Sequence, residues 1–243
     1  MNAKDVIWKD KEFISTFLKD IRGAIPLAQE QLDFIVHIVK SLDSPVRNFL
    51  DVGCGNGILG ALILSNIPEC RGVLLDYSEP MLEEARKSLS PYGERTAFLK
   101  SDYEDINWWK DASESGPFDL VVSGFSIHHQ TDENKKRIYS DIFGLLKLGG
   151  FFLNLEHVAS RSDWIESLSD DLIIDSLYKY SAGNNSGKER EQIAHDFLNR
   201  PDKDENILAN VEDQCEWLRA IGFEEVDCFF KIFELALFGG RRP

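Results

Sequence analysis

Three carboxylates and a cluster of glycines are the residues whose types and spacing first suggest chemistry. Gly53, Gly55 and Gly57 stand in FLDVGCGNGILGALIL, where an apolar run gives way to glycines and then to a helical pattern. A strand, a glycine turn and a helix in that order expose backbone N–H groups and a helix N-terminus, with no Cβ to obstruct a ligand. A nucleotide-like ligand is implied. The spacing alone leaves its identity open, because Gly53, Gly55 and Gly57 read GxGxG while Gly55, Gly57 and Gly60 also read GxGxxG. Gly60 is expected to serve helix packing. Asp51 precedes Gly53 by two residues, where a dinucleotide-binding strand is usually apolar, and it could meet a ligand's ammonium group. Asp76 closes the next apolar run, 76 − 57 = 19 residues after the last loop glycine, where a carboxylate can accept both hydroxyls of a ribose. Ser78 is the better helix cap there, which leaves Asp76 free for the ligand. Asp102, in LKSDYED, follows a third run and can accept from an exocyclic amino group such as that of adenine.

A second group lies further along. His128 and His129 follow the run FDLVVS, and Glu156 and His157 end the next one, FFLNLEH. Residues after strands of an open α/β sheet reach the edge where ligands bind. An imidazole and a carboxylate there can orient or deprotonate a nucleophile. The same residues also suit a loop-to-helix transition, with one ring packed on the sheet and Glu156 paired to backbone. Cys54 has no basic neighbour to activate it as a nucleophile. The four cysteines form no CxxC pair, so neither a disulfide framework nor a metal site is expected.

These groups need elements to carry them. From Pro45 onward, short apolar runs alternate with helical segments, the signature of a parallel sheet built from βαβ units. Strands are expected near 47–52, 72–76, 96–100, 118–123 and 150–156. Helices are expected near 57–66, 79–90 and 132–147, the last stopped by Gly149 and Gly150. Residues 1–44 read as helices, on the spacing of Phe13, Phe17, Leu18 and Ile21 and of Leu32, Ile35, Val36, Val39 and Leu42. Residues 160–206 break the alternation and read as a helical insertion. A helix over Val211–Ala220 ends at Gly222, and two close apolar runs, Glu225–Phe229 and Phe233–Phe238, must pair antiparallel, since a parallel crossover needs a dozen or more residues. The organisation is a helical cap over 1–44, a core over 45–159, a lid over 160–206, and a helix with two strands over 207–243 that complete the sheet. Aromatic residues such as Trp8, Trp164, Tyr178 and Tyr180 belong to the segments that would cover the sheet edge, mostly as core with one or two lining an acceptor pocket.

The chain has 243 residues, 43% hydrophobic and 28% charged, which excludes disordered and collagen-like classes. Its net charge of −15 repels polyanions, so nucleic acid is not an expected partner; the basic patches, Lys135–Arg137 and Arg241–Arg242, are short. No segment reaches membrane-spanning length, since Lys231 and Glu234 break the richest run. A cytoplasmic location with reduced thiols is expected, and the oligomeric state is open, a homodimer included.

With these pieces on the page, the chain resembles the class I S-adenosylmethionine-dependent methyltransferases from Asn48 to Arg241. The likeness rests on LDVGCGNG, LLDYSEPMLEEAR, LKSDYED, FDLVVSGFSIHHQ, LLKLGGFFLNLEHV and WLRAIGFEEVDCFFKIFELALFGG. It implies a Rossmann-like, seven-stranded, mostly parallel sheet with an antiparallel terminal strand, helices on both faces and a helical lid. It also implies S-adenosylmethionine as cofactor and S-adenosylhomocysteine as product, with methyl transfer in line to a small-molecule acceptor. By the resemblance, Asp51 and the loop Gly53, Gly55, Asn56, Gly57 hold the methionine portion and Asp76 the ribose. Tyr77 and Met81 flank the adenine, Ser101, Asp102 and Tyr103 read its edge, and Ser123, Gly124 and Phe125 close over the sulfonium. His128, Glu156 and His157 are the candidate catalytic residues. A fainter likeness runs to carboxy-S-adenosylmethionine synthase. A cofactor-binding protein without turnover and a nicotinamide dehydrogenase are the other readings, the last disfavoured by Asp51 and by the antiparallel terminal pair.

Overall fold

The computed structural model describes residues 24–183, 187–200 and 203–243. The aromatic and apolar residues expected to form the first helix, Phe13, Phe17, Leu18 and Ile21, lie outside the described residues, as do Trp8, residues 184–186 and Pro201. In chain order the elements are α1 (Ala28–Lys40), β1 (Asn48–Val52), α2 (Ile58–Asn66), β2 (Arg71–Asp76), α3 (Glu79–Ser88), β3 (Thr96–Lys100), α4 (Trp108–Ser113) and β4 (Phe118–Gly124). There follow α5 (Asp132–Leu145), β5 (Leu146–His157), α6 (Asp163–Gly183), α7 (Arg190–Leu198), α8 (Val211–Ile221), β6 (Glu224–Ile232) and β7 (Leu235–Arg241).

One sheet takes all seven strands in the order β3-β2-β1-β4-β5-β7-β6. β1 to β5 run parallel, and β7 runs antiparallel to both neighbours, so the antiparallel strand sits one place in from the edge. Strands covered on both faces read as continuous apolar runs, and their period of two then decides which face each side chain joins. Leu50, Val52, Val73, Leu75 and Val121 pack with Trp108, Tyr139, Ile142 and Leu218 on one side. Phe49, Leu74, Leu120 and Val122 pack with Ile35, Leu59, Ile63 and Leu82 on the other.

Register then aligns the chemistry. Val52 pairs with Leu75 and with Ser123, and Ser123 pairs with Asn154, so Asp51, Asp76, His128 and Glu156 all belong to one edge of the sheet. Strand order reverses between β1 and β4, the place where open α/β sheets bind ligands.

Local signals set most boundaries. Ser78 caps α3 through an N–H bond from Met81, with Pro80 in the first turn, and Gly222 ends α8 at φ 115. One expectation needs correction. Helix α5 stops at Leu145, ahead of Gly149 and Gly150, because Leu146 is already extended and opens β5. Those glycines instead shape the start of that strand: Gly149 has φ 77 and donates to the Arg242 carbonyl, and a Cβ on Gly150 would lie 2.9 Å from the Lys147 carbonyl oxygen.

The tightest backbone approach in the sheet is at Gly239 of β7, where a Cβ would fall 1.9 Å from the Phe152 carbonyl oxygen. Backbone cannot yield as a flexible side chain does. Gly239→Ala should therefore destabilise the chain by about 2 kcal/mol or more, at the upper end of overpacking costs. Urea unfolding checks this, and a midpoint equal to that of the parent chain would show that the sheet relaxes at no cost.

Candidate functional site

The glycine loop turns sharply because Gly53, Gly55 and Gly57 all take left-handed backbone, at φ 68, 54 and 82. Only glycine does this without strain. Gly53 also has no room, since a Cβ would lie 1.8 Å from the Ser126 Oγ, whereas the space over Gly55 is open to 4 Å. The loop is bolted to its neighbours by backbone: the Cys54 N–H donates to the Leu75 carbonyl at 2.9 Å, and the Asn56 carbonyl accepts from the Ser88 hydroxyl at 2.6 Å. Burial pushes the Cys54 thiol well up, with the Asp76 and Asp51 charges adding, which fits the expectation that it is no nucleophile.

Each strand-end carboxylate is held by backbone N–H groups. Asp51, 1% exposed, accepts from the Gly60 N–H at 3.1 Å, in the first turn of α2, where a negative charge also meets the positive end of the helix dipole. Gly60 packs as expected, with no room for a Cβ beside Leu74. Asp76 is less free than its helix-cap reading suggested. Its Oδ2 accepts from Gly55 N–H at 2.9 Å and its Oδ1 from Ser78 N–H at 2.8 Å, so it ties the glycine loop to the start of α3. The Tyr77 N–H is a third backbone donor to the same carboxylate. Burial pushes the Asp76 carboxyl up to about 6 against these bonds, with the Asp102 charge adding to the rise.

The remaining expected ligand residues divide. Asp102 is exposed next to Asp76 and folds its own turn by accepting from Glu104 N–H at 2.9 Å; half-buried Ser101 donates its N–H to the Asp76 carbonyl. Tyr77 is half-buried and Met81 is buried at the start of α3. Tyr103 does not sit beside Asp102 as a reader of a base edge. It is 4% exposed, with its hydroxyl 2.8 Å from the Ser126 Oγ, and so supports the residue that fills the space in front of Gly53. Ser123 is likewise buried, its hydroxyl donated to the Val52 carbonyl at 2.8 Å, which stitches β4 to β1. Gly124 and Phe125 are half-buried at the end of β4, and Phe125 takes φ 52 while its N–H donates to Leu155.

The histidine group closes into a buried cluster. Glu156, 1% exposed, lies 2.6 Å from the His128 Nδ1 through Oε1, and accepts from the His128 N–H at 3.1 Å and the His157 N–H at 3.0 Å. Burial pushes the Glu156 carboxyl up to about 7 and the His128 imidazole well below its ordinary value. Two backbone N–H groups thus donate to the Glu156 carboxylate, and its Oε1 shares a hydrogen bond with the His128 Nδ1. The Asn206 side chain also hydrogen-bonds the His128 imidazole. His157 turns instead toward Glu234 in the β6–β7 connection, at 3.2 Å through Nε2, and Glu234 accepts from Ser160 N–H at 3.1 Å. His129 donates from Nδ1 to the Glu205 carbonyl at 3.1 Å.

Sequence reasoning missed Lys135, Ser126 and Glu234. Lys135 stands in a polar run, DENKKR, that reads as a solvated helix start, yet it is 1% exposed and donates to Asp132 Oδ1 and to the Ile207 carbonyl. Arg137 of the same short basic patch is spent on the carbonyls of Tyr103, Glu104 and Asp105. Among the described residues no cluster of His, Cys, Asp and Glu could hold a metal ion.

Comparison with known proteins agrees with this arrangement. Residues 49–150 match the family described as a methyltransferase domain. A carboxy-S-adenosyl-L-methionine synthase of Shewanella piezotolerans is 24% identical over 93% of this chain and 89% of its own length. The malonyl-[acyl-carrier protein] O-methyltransferase 1 of Ilyobacter polytropus is 31% identical over 50% of this chain and 40% of its own. Among solved structures, an O-methyltransferase family protein of Burkholderia thailandensis superposes with TM-score 0.71 at 19% identity, covering 99% of this chain and 63% of that one. Human N-acetylserotonin methyltransferase in complex with its cofactor superposes at TM-score 0.60 and 16% identity, over 99% of this chain and 59% of the human one. The chain thus spans about three fifths of these structures, which share its fold.

The raised Asp76 value has a measurable sign. A carboxyl that binds its proton more tightly folded than unfolded adds stability below its ordinary 3.8 and loses it as pH rises toward about 6. The loss is on the order of 3 kcal/mol. Asp76→Asn should flatten this fall, so urea unfolding at the two ends of the window should show a smaller drop than in the parent. An equal drop in both proteins would mean that Asp76 titrates normally.

Proposed function

We propose that the chain is a class I S-adenosylmethionine-dependent methyltransferase that transfers the cofactor's methyl group to a hydroxyl of a small-molecule acceptor, with His128 as general base. The observation that carries this reading is the 2.6 Å contact between His128 Nδ1 and Glu156 Oε1. In this reading the contact orients the ring, and Nε2 takes the acceptor's proton. Burial keeps the imidazole unprotonated near neutral pH, ready to accept, and because it also weakens the base, the acceptor in this reading is an acidic hydroxyl such as a phenol. A protein that merely binds the cofactor would have no use for so costly a buried pair.

The residues present fit the cofactor. The open space over Gly55 and the left-handed loop leave its backbone approachable, and in this reading the Asp76 carboxylate beside the loop accepts from the ribose. In this reading Asp51, Gly53, Gly55, Asn56 and Gly57 form the methionine end, Asp76 holds the ribose, Tyr77 and Met81 flank the adenine, and Asp102 accepts at its edge. When bound, S-adenosylmethionine supplies a methyl group already activated on a sulfonium. The chain's part is alignment, exclusion of water, and a place for the acceptor's proton. Residues 45–159 and 207–243 carry the cofactor, while 160–206 wall the acceptor. Among the described residues no helix is long and apolar enough to cross a membrane.

A second reading, synthesis of a carboxylated S-adenosylmethionine, is favoured by the long match to the Shewanella enzyme. Against it, the edge nearest the sulfonium holds Glu156 and Glu234, whose charges repel a carboxylate. Mass spectrometry of the products formed from S-adenosylmethionine with phenolic acceptors, or with small carboxylic acids, separates the two.

Two further outcomes follow. Calorimetry should show binding of S-adenosylhomocysteine in preference to NAD, and Asp76→Ala should weaken it by about 2 to 3 kcal/mol, the scale of lost charge-assisted hydrogen bonds. An unchanged dissociation constant in a folded variant would take the ribose away from Asp76. His128→Asn should lower kcat for a methylated phenol by about 10² to 10⁴-fold with cofactor affinity kept. Retained turnover would reassign the base.

A further inference from the structure

Around His128 runs a closed circuit of hydrogen bonds that joins three distant parts of the chain. Lys135, in the first turn of α5, donates to the Ile207 carbonyl; the Ile207 N–H donates to the His128 carbonyl at 3.0 Å. The adjoining His129 ring donates to the Glu205 carbonyl at 3.1 Å, and the Asn206 side chain interacts with the His128 imidazole. The segment 205–209 is thereby a strap. Its far end is tied by the Gln214 side chain and by the Ala159 N–H, both of which donate to the Ala209 carbonyl at 3.0 Å.

A lysine buried to 1% exposure costs free energy that surface packing does not repay, unless its ammonium has a task. Of the bonds it makes, the one to Asp132 is local to its own helix turn and keeps its partner half in water. The bond to Ile207 spans 72 residues and reaches the strap. We propose that Lys135 is a positioning residue for the methyl-transfer site: its ammonium latches the strap 205–209 onto His128, so that strap and base move as one unit. The proposal rests on the reading of His128 as base, since only then does the strap's position matter to the reaction.

The latch has an electrical side as well. Lys135, His157 and Arg200 all act on His128 as positive neighbours that disfavour its protonation, while Asn206 favours it. Glu156, also faced by His129 and His157, is the carboxylate in contact with the His128 Nδ1. Removing the ammonium should therefore loosen the strap and make His128 easier to protonate. A residue that only fills space would do the first through general instability and would not do the second.

The test uses the full chain, labelled with nitrogen-15, and needs no acceptor. In Lys135→Met the Ile207 amide should exchange at least about tenfold faster, while amides of β1 and β4 keep their rates. The His128 imidazole should titrate at higher pH than in the parent. Lys135→Gln keeps a donor for the Ile207 carbonyl and lacks the charge, so it should retain most of the Ile207 protection and still raise the His128 midpoint. If the Met variant does not fold, the Gln variant carries the decision alone. Unchanged Ile207 protection and an unchanged midpoint, or protection lost in step with β1 and β4, overturns the latch. Full activity in His128→Asn would overturn the base instead and leave the latch standing.

Discussion

A carboxylate taken out of water loses several kcal/mol of hydration unless donors take the water's place, and backbone N–H groups are donors that cannot swing away. Asp51, Asp76 and Glu156 are all nearly inaccessible, and all three are met in this way: by Gly60, by Gly55 and Ser78, and by His128 and His157. Much of the site geometry follows from satisfying them. The glycine loop must turn its Gly55 amide toward β2, α2 must begin over Asp51, and the His128 turn must fold back on β5. Because the donors belong to main chain, the arrangement is rigid before any ligand arrives. Preorganisation of this kind saves reorganisation at the moment of reaction.

The same burial leaves the three carboxylates with different characters. Asp51 braces a helix, Asp76 ties the glycine loop to α3, and Glu156 meets an imidazole. They belong to an acidic molecule of net −15, and a cationic group is drawn into such a field, whereas an anionic partner is turned away. Lys135 is the exception that the site admits, and it is neutralised locally by Asp132 and a carbonyl.

Sequence order revealed the sheet because parallel strands buried on both faces must be apolar throughout, as in FLDV, VLL and LVV. It also revealed Asp51, Asp76, His128 and Glu156, since a polar residue directly after such a run can only lie at the carboxyl edge. What it could not reveal is direction. Ser123 and Tyr103 are turned inward, onto neighbouring strands and turns. Their partners, Val52 and Ser126, are set by register between strands far apart in sequence. Lys135 was invisible for a related reason: its neighbours Asp132, Glu133 and Asn134 describe a solvated turn, and the strap that buries it arrives 72 residues later. Gly149 and Gly150 misled because glycine pairs mark strand irregularities as readily as helix ends.

The placing of β7 between β5 and β6 has a consequence for assembly on the ribosome. Chains emerge from the amino terminus onward and their parts fold as they become available, yet β6 has no partner in the sheet until the strand made after it has inserted beside β5. Glu234 lies at that connection, and it is the group that holds His157 and the Ser160 amide. The cofactor loop, by contrast, needs only β1, β2 and the helices beside them. The histidine cluster therefore gains its last partners only when the final strand of the chain has inserted into the sheet.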